Sequence, residues 1–111
     1  MANSVAEGIT CISAQRLRML RPSDAESMSR VLKALADPAR LQIVTMLNDA
    51  DESGICVCDL IKPLSLTQPT VSHHLKVLAT SGLVKRSKQG TWVYYSLNRP
   101  ALQALLAQLP Q

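Results

Sequence analysis

The chain has no phenylalanine and only one Trp and two Tyr, so its core has to be assembled from aliphatic side chains. Hydrophobic residues make up 47% of it, drawn chiefly from Leu, Val, Ile and Ala, which is a helical composition. Acid is missing from the second half. All eight acidic residues (Glu7, Asp24, Glu26, Asp37, Asp49, Asp51, Glu52 and Asp59) precede Leu60. Against that absence stand Lys62, Lys76, Lys85, Arg86, Lys88 and Arg99, a one-sided distribution suited to a polyanion. No run approaches the roughly 20 apolar residues that span a bilayer. A basic-then-apolar leader is also lacking, so a cytoplasmic protein with no membrane partner is expected. The only histidines are His73 and His74, and no carboxylate follows Asp59 to orient either one as a base for a cysteine nucleophile. An enzyme is therefore not expected. Cysteine is scarce and odd in number: Cys11, Cys56 and Cys58. A disulfide between the last two would be strained, so metal or redox chemistry is the better use for them. At 111 residues and 12.1 kDa the chain is one domain with a modest core that gains from a partner.

What is present is organised around Leu64 to Leu83, LSLTQPTVSHHLKVLATSGL. Thr67 is a good N-cap, Pro69 is tolerated in a first turn, and Gly82 suits a left-handed exit, so a helix is predicted from about Gln68 to Thr80. Val71, Leu75 and Leu78 recur at i, i+4 and i+7 and must face a core. The opposite side then carries Pro69, Thr70, His73 and Lys76. Gln68, Thr70, Ser72, His73 and Lys76 are the candidate groove-reading side chains of a recognition helix, while His74, one turn from Leu78, is expected to be packed and hydrogen-bonded.

Around this helix the chain reads as follows. Residues 1–12 form a mobile arm carrying Cys11, and residues 13–111 form the folded domain. A short helix over Ser13 to Leu20 is ended by Pro22. Ser23 and Glu26 have capping-box spacing for a helix to about Ala36, with Met28, Val31, Leu32 and Leu35 inward. Asp37-Pro38 restarts the pattern for a helix to Leu47, with Leu41, Val44 and Leu47 inward. After a polar loop, Ile55 to Ile61 reads as a short helix ended by Pro63. Leu83 to Ser87 and Thr91 to Leu97 read as two strands joined by a basic turn, Ser87 to Gly90. Lys85, Arg86 and Lys88 of this hairpin are candidate phosphate contacts. Asn98 caps a last helix, Pro100 to Leu109, whose Leu102, Leu105, Leu106 and Leu109 need something to pack on, best supplied by a symmetry mate. The fold class is thus mainly α with a small β-hairpin: a winged helix-turn-helix.

The segments LKALADPARLQIVTML (32–47), ICVCDL (55–60), QPTVSHHLKVL (68–78), SGLV (81–84) and GTWVYYSL (90–97) resemble the bacterial ArsR/SmtB family. The resemblance runs from about Ser29 to Leu97. It implies a homodimeric repressor joined through its first and last helices, with two recognition helices in successive major grooves of an inverted-repeat double-stranded operator. It also implies release of the DNA when a metal or metalloid ion binds.

The ligands present narrow the ion. A family site of Asp, His and Glu on the last helix is missing here, since Arg99 to Gln111 contains none of them. Thiolates are soft donors, suited to arsenite, antimonite, Cd, Pb or Zn. On a regular helix Cys56 and Cys58 would point about 200° apart, so an ion held by both distorts the first turn. At the helix start Cys56 can sit outside that turn, where the unsatisfied N–H groups and the dipole favour thiolate. Arsenite prefers three sulfurs. In arsenic-responsive relatives with Cys-x-Cys-x-x-Cys the third follows on the same helix, but that position here is Ile61. Cadmium and lead sensors with this pair add two arm cysteines, whereas this arm offers only Cys11, with Asp59 as a possible further ligand. The expected set is Cys11, Cys56 and Cys58 holding As(III) or Sb(III), Cys11 acting in cis or from across the dimer. The alternatives are a Cd/Pb-responsive or a thiol-redox-responsive repressor of the same fold.

Overall fold

The computed structural model describes residues 17–110. They form α1 (Pro22–Leu35), α2 (Pro38–Asp49), β1 (Ile55–Cys56), α3 (Val57–Leu64), α4 (Gln68–Thr80), β2 (Val84–Gln89), β3 (Trp92–Leu97) and α5 (Arg99–Gln108). The arm with Cys11, and Ser13 to Arg16 of the first expected helix, lie outside the described residues. Leu17 to Leu20, the remainder of that helix, is not helical.

Pro22 starts a helix instead of ending one. Its fixed φ suits the first helical position, where the missing N–H has no intrahelical partner to lose. Arg21 is the N-cap without a side-chain cap bond, so the Ser23/Glu26 capping box does not form. Arg21 Nε instead donates to Asp24 Oδ2 at 2.8 Å. The second start is as expected. Asp37 caps α2 by accepting from the Arg40 N–H at 3.1 Å, and Pro38 follows it.

Ile43, Leu47, Leu60, Val71, Leu75, Leu78 and Leu83 are fully buried and form the centre of the core. Val71, Leu75 and Leu78 are the stripe read from the sequence. On α2 the inward face is Ile43, Val44 and Leu47, and Leu41 is 51% exposed. The face is defined by two adjacent residues and their i+4 partner, which turns Leu41 outward. On α1 only Ala34 is buried, and on α5 only Leu105.

The sheet has three antiparallel strands in the order β1-β3-β2, one more than the hairpin alone. Ile55 and Cys56 are not helical: they pair with Tyr95 and Tyr94 and occupy the edge of β3 left open by β2. Gly54 makes this approach possible. Its φ is +84°, and a Cβ there would run into the Tyr95 carbonyl. Strand β2 runs two residues further than expected, to Gln89 opposite Trp92, which leaves only Gly90 and Thr91 at the tip. Pro63 lies inside the last turn of α3, and the helix ends at Leu64 and closes on Ser65 in the left-handed region, whose N–H donates to the Ile61 and Lys62 carbonyls. A short turn then leads to α4, which packs directly on α3.

Candidate effector site and nucleic-acid interface

The head of α3 brings two thiols together. Cys56 is held by β1 and serves as the N-cap of α3, with extended backbone, so it stands outside the helix. Cys58 sits in the first turn. The 200° divergence of two helical positions therefore does not apply, and Cys58 Sγ donates to Cys56 Sγ at 2.9 Å. Cys56 is buried and Cys58 exposed. The Cys58 thiol is pushed above its ordinary range, first by its hydrogen bond to Cys56, then by desolvation, then by the charge of Asp59. The proton on Cys58 is the one shared between the two sulfurs. Among the described residues no group of three His, Cys, Asp or Glu side chains gathers that could hold a metal ion, so Asp59 does not join the pair.

The pair opens into a cavity of about 490 Å³. One wall is Val57 and Ile61 of α3, and another is Trp92, Val93 and Tyr95 of β3. Its remaining edge is formed by Gln68 and Ser72 of α4 and by Arg86 of β2. Four elements, α3, α4, β2 and β3, thus meet at one space. Trp92 was missed by sequence reasoning, and only its rarity in a chain with three aromatics could have marked it.

Helix α4 runs over the residues expected of it. Thr67 accepts from the Thr70 N–H at 3.4 Å, and the two threonine hydroxyls lie 2.9 Å apart, so the Thr70 hydroxyl is partly engaged at the cap. Gln68, Thr70, Ser72, His73 and Lys76 are all exposed. They divide into two groups: Gln68 and Ser72 border the cavity and face the wing, while Thr70, His73 and Lys76 do not line it. His74 is half-buried, and its Nδ1 lies 3.1 Å from Arg40 Nη1 and 3.9 Å from Asp37 Oδ2.

Lys85, Arg86 and Lys88 are all exposed on β2, but strand alternation separates them. Arg86 and Lys88 share one face. Lys85 lies on the other, beside Asp51, Glu52 and Arg99. Arg99, part of the acid-free half, is used internally: it donates to Asn48 Oδ1 and to the Asn48 and Ala50 carbonyls at 3.0 to 3.1 Å. That bond set holds the end of α2 and the start of the loop leading to β1 against α5. Arg40 and Arg99 were missed as functional supports because an arginine at a helix start carries no mark of a distant partner.

A helix pair followed by a basic two-stranded wing, with an exposed polar face on its second helix, defines a winged helix-turn-helix DNA-binding protein. Residues 37–86 match the model of the bacterial regulatory protein arsR family. The arsenical resistance operon repressor of Bacillus subtilis is 41% identical over 76 residues, which span 68% of this chain and 70% of that one. HlyU from Vibrio cholerae has the same fold at a TM-score of 0.69 and 32% identity, over 78% of this chain and 91% of its own. The homodimeric winged helix-turn-helix DNA-binding domain Mb0332 from Mycobacterium bovis matches at a TM-score of 0.66 and 24% identity, covering 82% and 85% of the two chains. The chain belongs to the ArsR family of transcriptional repressors, a DNA-binding class and not an enzyme class. No helix among the described residues is long and apolar enough to cross a membrane.

Proposed function

We propose that this chain is a homodimeric repressor that holds an inverted-repeat operator and releases it when trivalent arsenic or antimony binds the thiolates of Cys56 and Cys58, with Cys11 as the third sulfur. The observation that carries this reading is the 2.9 Å thiol pair opening into a cavity shared with Gln68 and Ser72 of the recognition helix. Soft trivalent ions take sulfur, and two sulfurs already lie side by side.

Transmission follows from where each thiol is anchored. Cys56 is fixed to the sheet by its pairing with Tyr94, whereas Cys58 rides on α3. Loss of the shared proton and closure of both sulfurs on an ion pull Cys58 relative to β1. Because α3 packs on α4, the displacement passes to the recognition helix across the Pro63 to Leu66 turn. A homodimer has the surface it needs in Met28, Val31 and Leu32 of α1 and Ala101 and Ala104 of α5, none of which is fully buried within one chain. The Mycobacterium domain is a homodimer in this fold.

The test is an arsenite titration of the fully reduced, full-length protein on a duplex selected for tight binding, read by fluorescence anisotropy, with free thiols counted at each point. The expected result is DNA release with three thiols protected per chain, and loss of release without loss of DNA affinity in Cys58→Ser. Release that persists in Cys58→Ser overturns the assignment.

A further inference from the structure

Building on the operator-binding part of that reading, and independently of the thiols, we propose that the proton is a second effector of this repressor. It is sensed where Asp37 and Arg40 of α2 meet His74 of the recognition helix, and protonation of His74 weakens operator binding.

The His74 side chain is 14% exposed, open enough to exchange a proton but not to leave its place. Among the described residues its hydrogen-bond and ion-pair partners are Arg40, whose Nη1 is 3.1 Å from Nδ1, and Asp37, whose Oδ2 is 3.9 Å from the same nitrogen. The two call for opposite states of Nδ1. A guanidinium only donates, so the Arg40 bond exists only while Nδ1 is bare. Once Nδ1 carries a proton, an imidazolium faces a guanidinium, with the Asp37 carboxylate as the acceptor at hand. Asp37 is held below its ordinary value of 3.8, first by the Arg40 backbone N–H, so it stays ionised throughout the range in which imidazoles titrate.

This exchange of partners moves the helix. A charge-assisted N–H···O bond is about 2.8 Å long, so closing on Oδ2 carries the middle of α4 roughly 1 Å toward the N-cap of α2. Arg40, displaced from His74, is also the side chain whose Nε holds the Ala34 carbonyl at the end of α1. One proton therefore undoes the tie between α1 and α4.

The other charged groups on elements packed against α4 are engaged elsewhere or exposed. Arg30 and Lys33 of α1 border Val77, Thr80 and Ser81 toward the end of the helix. Arg86 of β2 borders Gln68 and Ser72, and Lys85 faces Asp51 and Glu52. Lys88 of β2 and Asp59 and Lys62 of α3 are exposed. On α4 itself the His73 ring centroid is 6.0 Å from that of His74. His73 is exposed on the DNA-facing side, where an added positive charge favours a polyanion, an effect of opposite sign.

The experiment therefore uses reduced full-length His73→Gln, in which His74 is the only imidazole, with no arsenical present. Anisotropy on the selected duplex and the His74 ring-proton resonance are followed from about pH 8 to about pH 5.5, where imidazoles change charge. Affinity is expected to fall about tenfold with acid, in step with the ring resonance of the free protein. Adding His74→Asn, whose amide oxygen stands near the place of Nδ1 and accepts from Arg40 without titrating, is expected to abolish the fall. Adding Asp37→Asn instead is expected to move it to lower pH. Affinity that stays constant or rises with acid in His73→Gln, or that falls equally with His74→Asn, overturns the inference. So does a ring resonance that does not titrate where affinity changes, a readout that needs no second variant to fold. A fall unmoved by Asp37→Asn overturns the part given to that carboxylate. Arsenite failing to release DNA overturns the effector reading and leaves this inference standing, and constant affinity here does the reverse.

Discussion

Arg40 Nη1 lies 3.1 Å from His74 Nδ1, a bond that ties the first turn of α2 to the middle of the recognition helix. Because a guanidinium only donates, Nδ1 accepts, and a neutral imidazole carries its proton on Nε2. Arg40 also donates through Nε to the Ala34 carbonyl at the end of α1, so one side chain holds three helices in register. The two adjacent histidines consequently have separable tasks. His74→Ala is expected to lower stability by about 1.5 kcal/mol, in the range for a hydrogen bond to a charged group, and operator affinity with it. His73→Ala is expected to change stability by less than about 0.5 kcal/mol, as for an exposed site, while still weakening DNA binding. Thermal melts alongside anisotropy separate the two, and equal stability losses would refute the distinction.

The same junction sets an acid limit. The Asp37 carboxyl is held below its ordinary value of 3.8, first by the Arg40 backbone N–H, with the charge of Arg40 adding to this and burial opposing it. A depressed folded-state value means the contribution is complete above the unfolded-state value and is lost as pH falls through the folded one. Asp37→Asn keeps a cap acceptor but removes the charge. The stability gap between wild type and this variant is expected to shrink steadily as melts are taken to lower pH through the carboxylate range, and a gap that widens there would contradict the sign.

On the wing, alternation predicts unequal roles for chemically equal lysines. Lys88 shares the Arg86 face near the tip, while Lys85 looks toward Asp51 and Glu52. Lys88→Ala is expected to flatten the dependence of log affinity on log salt by about one unit, the loss of one phosphate contact. Lys85→Ala is expected to change the slope by much less. Equal slopes for the two variants would place both on the DNA.

Leu32 on α1 is 38% exposed, and in the proposed dimer it is covered by the partner chain. Leu32→Glu places a charge in that contact. Sedimentation of the reduced protein at micromolar concentration is expected to show a dimer for wild type and a shift to monomer for the variant. A wild-type monomer would remove the basis for an inverted-repeat operator.

Gly54 controls where Cys56 sits. Gly54→Ala forces a side chain into the left-handed region at φ +84° and against the Tyr95 carbonyl. The expected cost is about 1–3 kcal/mol from the backbone conformation alone. Because β1 carries Cys56, the variant should also lose effector response at temperatures where it remains folded, and an unchanged response would show that the strand pairing does not position the thiol.

Local chemistry was enough to read the recognition helix and its supports. Thr67, Pro69 and Gly82 mark the two ends of α4 in the chain itself, and the Val71, Leu75 and Leu78 spacing can be buried on only one side. The Asp37-Pro38 start and the Asn98 cap, which accepts from the Ala101 N–H, are signals of the same kind. The Cys56–Cys58 pair was legible as chemistry and only in part as geometry: Cys56 could be read as standing outside the first turn, but not as paired into a strand. Whether two thiols at i and i+2 diverge or touch depends on whether the first belongs to the helix, and that was decided by β3, some forty residues away, whose open edge drew Ile55 and Cys56 into a strand. The meeting of that pair with Trp92, Arg86, Gln68 and Ser72 is likewise a product of tertiary packing. Periodicity reports which way a side chain points from its own element, but not which side chains of other elements share the space it points into.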